Sequence, residues 1–282
     1  MLVNLIDILK KAQAEHYAVG LFNTTDTDML QAAIEAAEEL RAPIIIGTAE
    51  VLLPAGELKL IAPSIIAAAK RATVPVVVHY DHGLTFDRCM EALQLGFSSV
   101  MFDASEKSYE DNIKETQEIV KIAHSLGASV EGEIGHVGGA EGMAEATEEN
   151  LENMYTTPEE AKAYLEATGI DALAVAIGSA HGVYKKKPKL SIDRLKEIRK
   201  NVDVPLVLHG GSGLSDDDFK TSIKEGIAKV NIFTDLCLAG NAAMEQGLKE
   251  GKDYLTIRNM KVAAIKEAVK KKMILFGCNG KA

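Results

Sequence analysis

Chemistry is concentrated where apolar runs end. The stretch from Val74 to Gly83 reads VPVVVHYDHG, and five of its first six residues are Val or Pro. Such a run predicts a strand buried on both faces. It breaks into His79, Asp81 and His82, titratable groups at the carboxyl end of a parallel strand, where an α/β barrel carries its reactive residues. Other apolar runs end on Asn23, Asp103, Glu133, His181, His209 and Asn231. Of the seven histidines, His79, His82, His181 and His209 fall at or just after such ends. His16 and His124 sit on predicted helices, and His136 opens a long loop. Neutral imidazoles suit Zn²⁺, and three protein ligands with an open fourth position is the catalytic arrangement. The candidate ligands are therefore His82, His181 and His209, with Asp81 beside them as acid and base. The alternative for Asp81 is a carboxylate that orients a histidine. The pleat places His79 and Asp81 on one face and His82 beyond the strand, in the loop; His79 is read as structural.

Two further strand ends are suited to phosphate. HGGSGLSDDD (209–218) joins a strand to a helix through Gly210 and Gly211, and offers backbone N–H groups and Ser212 to an anion. It lacks the lysine of a nucleotide-binding P-loop, and the alternative is a tight turn that needs glycine for conformation alone. VNIFTDL (230–236) carries Asn231, Phe233 and Thr234, and the loops after strands seven and eight form the customary phosphate site of such barrels. GSAHGVYKKKPKL (178–190) adds Gly182 and a basic run from Lys185, which otherwise reads as a solvated loop.

The elements that position these residues alternate along the chain. A helix at about 3–15 leads to a strand at 17–23, then a helix that Asp26 or Thr27 can cap, a strand at 43–49 and a helix at about 57–73. After the HYDH strand comes a helix closed by Gly96, then strands at 97–105, 128–135, 170–178, 203–211 and 227–234, with helices at about 108–126, 158–168, 190–201 and 215–225. Segments 236–250 and 256–272 read as terminal helices. Strand and helix alternate at intervals of roughly 30 residues, which predicts a single (β/α)8 barrel domain over residues 1–282, with an N-terminal helix and C-terminal helices. A doubly wound open sheet is the alternative, but no GxGxxG turn follows the first strand. One connection breaks the rhythm: 135–157, rich in Gly and acid, is read as an active-face lid or as disordered filler.

Composition narrows the function classes. A net charge of −10 argues against a nucleic acid or an anionic membrane as the main partner. Cys89, Cys237 and Cys278 are scattered without metal-type spacing and read as reduced thiols of a cytoplasmic protein. The first residues carry Asp7 inside an apolar stretch and read as an amphipathic helix rather than a signal peptide. No uncharged run reaches about 18 residues, so no membrane span is expected.

Taken together, HYDHG, SSVMFDAS, VEGEIGHVGGAEG, DALAVAIGSAHGVYK, VPLVLHGGSGLSDDDF and AKVNIFTDL resemble the class II, zinc-dependent ketose-bisphosphate aldolases, the fructose and tagatose bisphosphate enzymes. The resemblance runs over essentially the whole chain. It implies that His82, His181 and His209 hold Zn²⁺, and that Asp81 takes the C4 hydroxyl proton during cleavage and returns it during condensation. Asn23 and Asn231 match substrate-contacting positions. Gly182, Gly211, Ser212 and Thr234 match the C1-phosphate pocket, with Gly210, Phe233 and Lys185 alongside. Asp103 and Glu133 match acids near the metal, and Glu141 matches a glutamate that assists proton transfer at C3. The family also implies a monovalent cation (Na⁺ or K⁺) beside the phosphate and a homodimer or homotetramer, with Lys252 reaching a neighbouring subunit.

The far end of the substrate departs from that pattern. Where the family carries Ser or Thr for the C6 phosphate, this chain reads GTAEV, with Ala49 and Glu50. The usual Asp-Pro-Arg near the carboxyl end reads EGKDY, and Lys252 keeps the charge but not the bidentate fork. The leading expectation is zinc-dependent cleavage of a ketose 1,6-bisphosphate to dihydroxyacetone phosphate and an aldehyde phosphate. Its alternatives are the same chemistry on a monophosphorylated or modified ketose, a non-catalytic aldolase partner, and a metal-dependent barrel hydrolase.

Overall fold

Eight parallel strands close into a barrel in which each pairs with the next in sequence and the last returns to the first. They are β1 (Val19–Asn23), β2 (Ile44–Ala49), β3 (Val76–Gly83), β4 (Ser99–Phe102), β5 (Ser129–Ile134), β6 (Ala172–Val175), β7 (Leu206–Leu208) and β8 (Ile227–Ile232). The computed structural model describes residues 1–135, 137, 155–181 and 188–282. Helix α1 (Leu5–Ala14) precedes the barrel. The strands alternate with α2 (Thr27–Leu40), α3 (Leu58–Arg71), α4 (Phe86–Leu95), α5 (Tyr109–Ser125), α6 (Pro158–Thr168), α7 (Ile192–Asn201) and α8 (Asp216–Lys224), and α9 (Thr234–Lys249) and α10 (Tyr254–Leu275) follow β8. The predicted (β/α)8 order is therefore the observed one, and helix 158–168 starts and stops where its capping box, Pro158 and Gly169 put it.

Local chemistry explains the ends. The Asp26 carboxylate accepts from the backbone N–H groups of Asp28 and Met29 and so starts α2. Gly96 takes the left-handed conformation that closes α4. At the end of the 135–157 connection, Thr156 donates to the Ile134 carbonyl at 2.6 Å and accepts from Ala176 N at 2.9 Å, tying its last turn across β5 and β6. The rest of that connection, including most of the expected lid, lies outside the described residues.

Register decides what faces the barrel interior, because paired residues of neighbouring parallel strands point the same way. Gly47 pairs with His79, His79 with Ser99, and Ala49 with Asp81. Ser99 pairs with Ser129, Met101 with Glu131, Val207 with Lys229, and Leu21 with Asn231. The interior face thus carries a series of buried polar groups, while the alternate residues pack outward under the helices as a continuous core. A Cβ at Gly47 would lie 2.8 Å from Asn23 Oδ1 and 3.0 Å from the His79 carbonyl, so no larger residue fits at that point of the interior.

Two sequence expectations need correction. His82 lies inside β3 rather than past its end, at a break in register between Tyr80 and Gly83. It takes φ 44°, a left-handed conformation that a non-glycine residue adopts only where its surroundings enforce it. His16 lies beyond α1, which ends at Ala14. On the outer surface, α10 packs along α2 and α9, and a row of lysines on α10 meets acids on α2.

Candidate metal centre and active site

Three histidines converge at the carboxyl end of the barrel. His82 comes from the irregular end of β3, His181 from the connection after β6 and His209 from the residue after β7. Their ring centroids lie 4.5 Å (His82 to His209), 4.9 Å (His82 to His181) and 5.8 Å (His181 to His209) apart. One ring nitrogen of each can stand within 4.8 Å of the other two.

The opposite edges of two of these rings are anchored. His82 Nδ1 lies 2.7 Å from Asp103 Oδ2, and Asp103 is itself fixed by the Ser105 backbone N–H and hydroxyl. His209 Nε2 lies 2.9 Å from Glu131 Oε1, and Glu133 Oε2 lies 3.0 Å from His209 Nδ1. Among the described residues His82 Nε2, His181 Nε2 and His209 Nδ1 are buried without a hydrogen bond, as is His79 Nε2 below them, and of the first three only His209 Nδ1 has a carboxylate close by, that of Glu133. Three imidazole nitrogens without a hydrogen bond, on rings whose ligand atoms lie within 4.8 Å of one another, fit a tetrahedral Zn²⁺ with one position open, and carboxylates on the far nitrogens of His82 and His209 are what metal-binding histidines require. Two more groups have ligand spacing: His82 with Asp103 and Glu133, and His79 with Asp81 and Glu131. In the second, the Lys229 ammonium already lies 3.0 and 2.8 Å from the two Glu131 oxygens and supplies the positive charge.

Electrostatics follow from burial among these charges. Burial opposes charge on His82, but the carboxylates of Asp81, Asp103 and Glu133 outweigh it and push the imidazole up to about 10. Burial, with His82 and His209 adding to it, pushes His181 down to about 3. Burial and His82 work against a proton on His209, and the contacts with Glu131 and Glu133 overcome them, raising it. Asp81 would be raised by burial, yet His82, Lys229 and His209 hold its carboxyl well below the usual range. It stays an ionised carboxylate inside the barrel.

Asp81 is also pinned. Asn23 Nδ2 donates to Oδ2 at 2.8 Å, and Asn231 Nδ2 donates to Oδ1 at 2.9 Å and to Oδ2 at 3.1 Å. The structure therefore places both asparagines on Asp81. His79, read as structural, contacts Ser99 Oγ at 2.8 Å through Nδ1 and turns Nε2 toward Asp81 at 3.7 Å.

The expected phosphate residues gather beside His181. A cleft of about 10 Å³ is lined by His181, Gly210, Gly211, Ser212, Asn231, Phe233 and Thr234. Ser212 Oγ accepts from the backbone N–H groups of Phe233 and Asp235, each at 3.4 Å, which sets its hydroxyl at the N-terminal end of α9, the end of a helix that favours an anion. Gly210 adopts φ 63°, and a Cβ there would lie 2.3 Å from the Ala180 carbonyl oxygen, so the turn requires glycine. Gly182, Lys185 and Glu141 lie outside the described residues.

Other expectations are not brought to this site. Lys252 sits in the turn between α9 and α10, half-exposed, 3.6 Å from Glu250. Arg258, the arginine nearest Lys252 in the sequence, does not make up for the missing fork, since it pairs with Asp28 at 2.7 Å and with Gln31 at 2.9 Å. Ala49 stands in register with Asp81 and offers no donor, and the Glu50 carboxylate is taken up by Leu84 N at 2.8 Å and Tyr80 OH at 3.3 Å. A cleft of about 580 Å³ lined by Glu50, Lys59, Arg88 and Glu91 among others includes none of the histidines. Sequence reasoning passed over Glu131 and Lys229, although each sits two residues before a residue it singled out, Glu133 and Asn231, on the same strand face.

Comparison with known proteins agrees with this geometry. Residues 3–281 match the family model described as fructose-bisphosphate aldolase class-II. The chain is 41% identical to a fructose-bisphosphate aldolase of Thermus caldophilus, covering the whole of both. It is likewise 41% identical to a 6-phospho-5-dehydro-2-deoxy-D-gluconate aldolase of Halalkalibacterium halodurans, covering 100% of this chain and 98% of that one. The crystal structure of the YdjI aldolase from Escherichia coli K12 superposes with a TM-score of 0.90 at 38% identity over the full length of both chains.

Proposed function

The chain belongs to the class II fructose-bisphosphate aldolase family, and from that premise we propose that its single barrel domain, residues 1–282, holds Zn²⁺ on His82, His181 and His209 and cleaves a phosphorylated ketose between C3 and C4. The observation that carries this reading is the set of three clustered ring nitrogens without a hydrogen bond beside a pinned, ionised Asp81. When bound, the metal supplies a Lewis acid for the ketose carbonyl and a sink for the electrons of the broken bond.

The remaining work falls to the chain's own residues. Asp81 accepts the proton of the C4 hydroxyl as the C3–C4 bond breaks and C4 becomes the aldehyde carbon; in condensation it returns that proton. Asn23 and Asn231 fix the carboxylate's direction and hand their amides to substrate hydroxyls when Asp81 turns to its task. Ser212, Gly210, Gly211 and the first turn of α9 hold the C1 phosphate, with Phe233, Thr234, Gly182 and Lys185 around it. Asp103 steadies His82, Glu133 stands by as an alternate ligand, and Glu141 assists the C3 proton. A monovalent cation beside the phosphate, a cytoplasmic location and a homodimer or homotetramer belong to the same proposal. Exposed Leu238, Leu248, Tyr254 and Leu255 on α9 and α10 give an oligomer apolar surface to bury, and Lys252 lies in the turn between those helices. No described helix is long and apolar enough to cross a membrane.

The leading substrate is a ketose 1,6-bisphosphate, giving dihydroxyacetone phosphate and an aldehyde phosphate. A second reading, a ketose with one phosphate or a modified distal end, is favoured by Ala49 beside Asp81 and by a fixed Glu50 carboxylate next to it. One relative named above is also named for a substrate with a single phosphate. Dihydroxyacetone phosphate release should be measured from fructose and tagatose 1,6-bisphosphates beside their 1-phosphates, before and after chelation with zinc restored. Zinc-dependent release favouring a bisphosphate is expected. Faster release from the 1-phosphates moves the assignment to the second reading, and no zinc-restored release from any of them overturns both.

A further inference from the structure

A lysine and a glutamate lie wholly inside the barrel, and no step above uses them. Lys229 and Glu131 are both 0% exposed. Sequestering two charges is costly unless they are closely paired, and here the ammonium donates to Oε1 at 3.0 Å and lies 2.8 Å from Oε2. Oε1 has a second partner, His209 Nε2 at 2.9 Å. Lys229 and Glu131 stand two residues before Asn231 and Glu133 on the interior faces of β8 and β5, one layer beneath the histidines. Across that layer Glu131 pairs in register with Ala172, whose small side chain leaves room for them.

We propose that Lys229 and Glu131 are a positioning pair for the metal centre. Glu131 accepts the Nε2 proton of His209, which fixes the ring's tautomer and direction and presents the Nδ1 lone pair, beside Glu133 Oε2 at 3.0 Å, to a metal. Lys229 holds Glu131 ionised and aimed, and keeps its carboxylate from turning toward His79, 3.9 Å away on the other side. The inference rests on the zinc-aldolase reading of the site and adds a source for its geometry: the direction of one ligand is set by an ion pair that touches neither metal nor substrate.

The test measures zinc affinity of the full chain by competition with a chromogenic chelator, without substrate, alongside the melting temperature of the chelator-stripped protein. Lys229→Met with Glu131→Gln removes both charges together, so neither is left buried alone. This double variant is expected to keep a cooperative melt while zinc affinity falls 10- to 100-fold. Glu131→Asp keeps the charge but withdraws it by one methylene, so that it reaches Lys229 without His209; it should lose affinity in the same direction. Wild-type affinity in both variants overturns the proposal. Should the double variant not fold, ¹⁵N NMR of the zinc-loaded wild type decides: a protonated Nε2 and a metal-bound Nδ1 on His209 are expected, and metal on Nε2 overturns the assignment. A wild-type chain that takes up no zinc overturns the metal reading beneath the proposal, a result distinct from any of these.

Discussion

Two regions of this molecule are crowded with acid–base pairs, and only one of them has the makings of a site. Along the outside, Lys261, Lys266 and Lys270 of α10 meet Asp26, Asp28, Glu35 and Glu39 of α2 at 2.5 to 3.5 Å. Within the barrel, His79, Asp81, Glu131, His209 and Lys229 lie at 0% exposure with Glu133 beside them at 2%. Pair distances barely distinguish the two. What separates them is water and leftover valence. The outer acids remain in solvent, Asp26 at 44% and Glu39 at 47% side-chain exposure, where each pair contributes little. The inner groups have traded water for one another, and after every pairing four ring nitrogens, three of them on His82, His181 and His209, still make no hydrogen bond among the described residues. Burying a polar atom without a partner costs roughly 1–3 kcal/mol, so a surplus at one point marks a position meant for something else.

The sharpest way to break that contrast is Asp81→Asn. The substitution keeps the volume and removes the base, so kcat for aldol cleavage should fall by about 10²- to 10⁴-fold with zinc content unchanged. A coupled dihydroxyacetone phosphate assay with metal analysis checks it. Retained turnover would assign the proton transfer elsewhere and reduce Asp81 to a group that orients its neighbours.

Metal removal comes next. If the orphaned nitrogens are zinc ligands, stripping the metal costs the folded state about 4 kcal/mol at a thousandfold excess of zinc over Kd, which calorimetry reads as a fall of several degrees in Tm. His181→Ala should abolish most of that difference. The interior should also respond to acid. Its carboxylates push His82 up to about 10, and zinc takes only the deprotonated ring, so proton and metal compete and zinc affinity must weaken as pH falls from about 8 to about 6. Affinity that ignores pH would show that His82 does not bind the metal.

Much of this was readable before any coordinates. Strands buried on both faces and amphipathic helices have different apolar periods, so the barrel order and most element ends followed from patterning alone. His82, His181 and His209 stood out because each interrupts or follows an apolar run. The bulge that brings His82 inward was not readable, because a register break between Tyr80 and Gly83 is set by how β3 pairs with β4 and not by β3 itself. Glu131 and Lys229 were readable in part: charged residues at a spacing of two within VEGEI and AKVNI share one strand face, yet only the barrel's closure shows that two remote strands bring them together. Asn23 and Asn231 were expected to contact substrate, and their hold on Asp81 belongs to the folded chain. The partners of Arg258 and Lys252 depend on packing around α10, which no local pattern encodes.

The smallest effect belongs to the outer seam, and it decides whether the contrast is one of environment or of residue type. Asp26 is the best placed of these acids, since it also starts α2. Burial raises its carboxyl, but the Lys261 contact and the N–H groups of Met29 and Asp28 overcome that and leave it lowered. A lowered carboxyl stabilises the fold above its unfolded pKa, about 3.9, and that contribution is lost as pH falls through the folded value. Asp26→Ala should therefore cost about 1 kcal/mol near neutral pH, mostly as the lost cap, with the deficit shrinking in acid and activity untouched. Lys261→Met tests the ion pair alone and, discounted for solvent, should cost less than about 1 kcal/mol. Denaturant melts across pH read both. A loss at Lys261 as large as that from removing the metal would mean that exposed pairing does here what buried pairing does, and the distinction drawn from the ring nitrogens without a hydrogen bond would no longer separate the two regions.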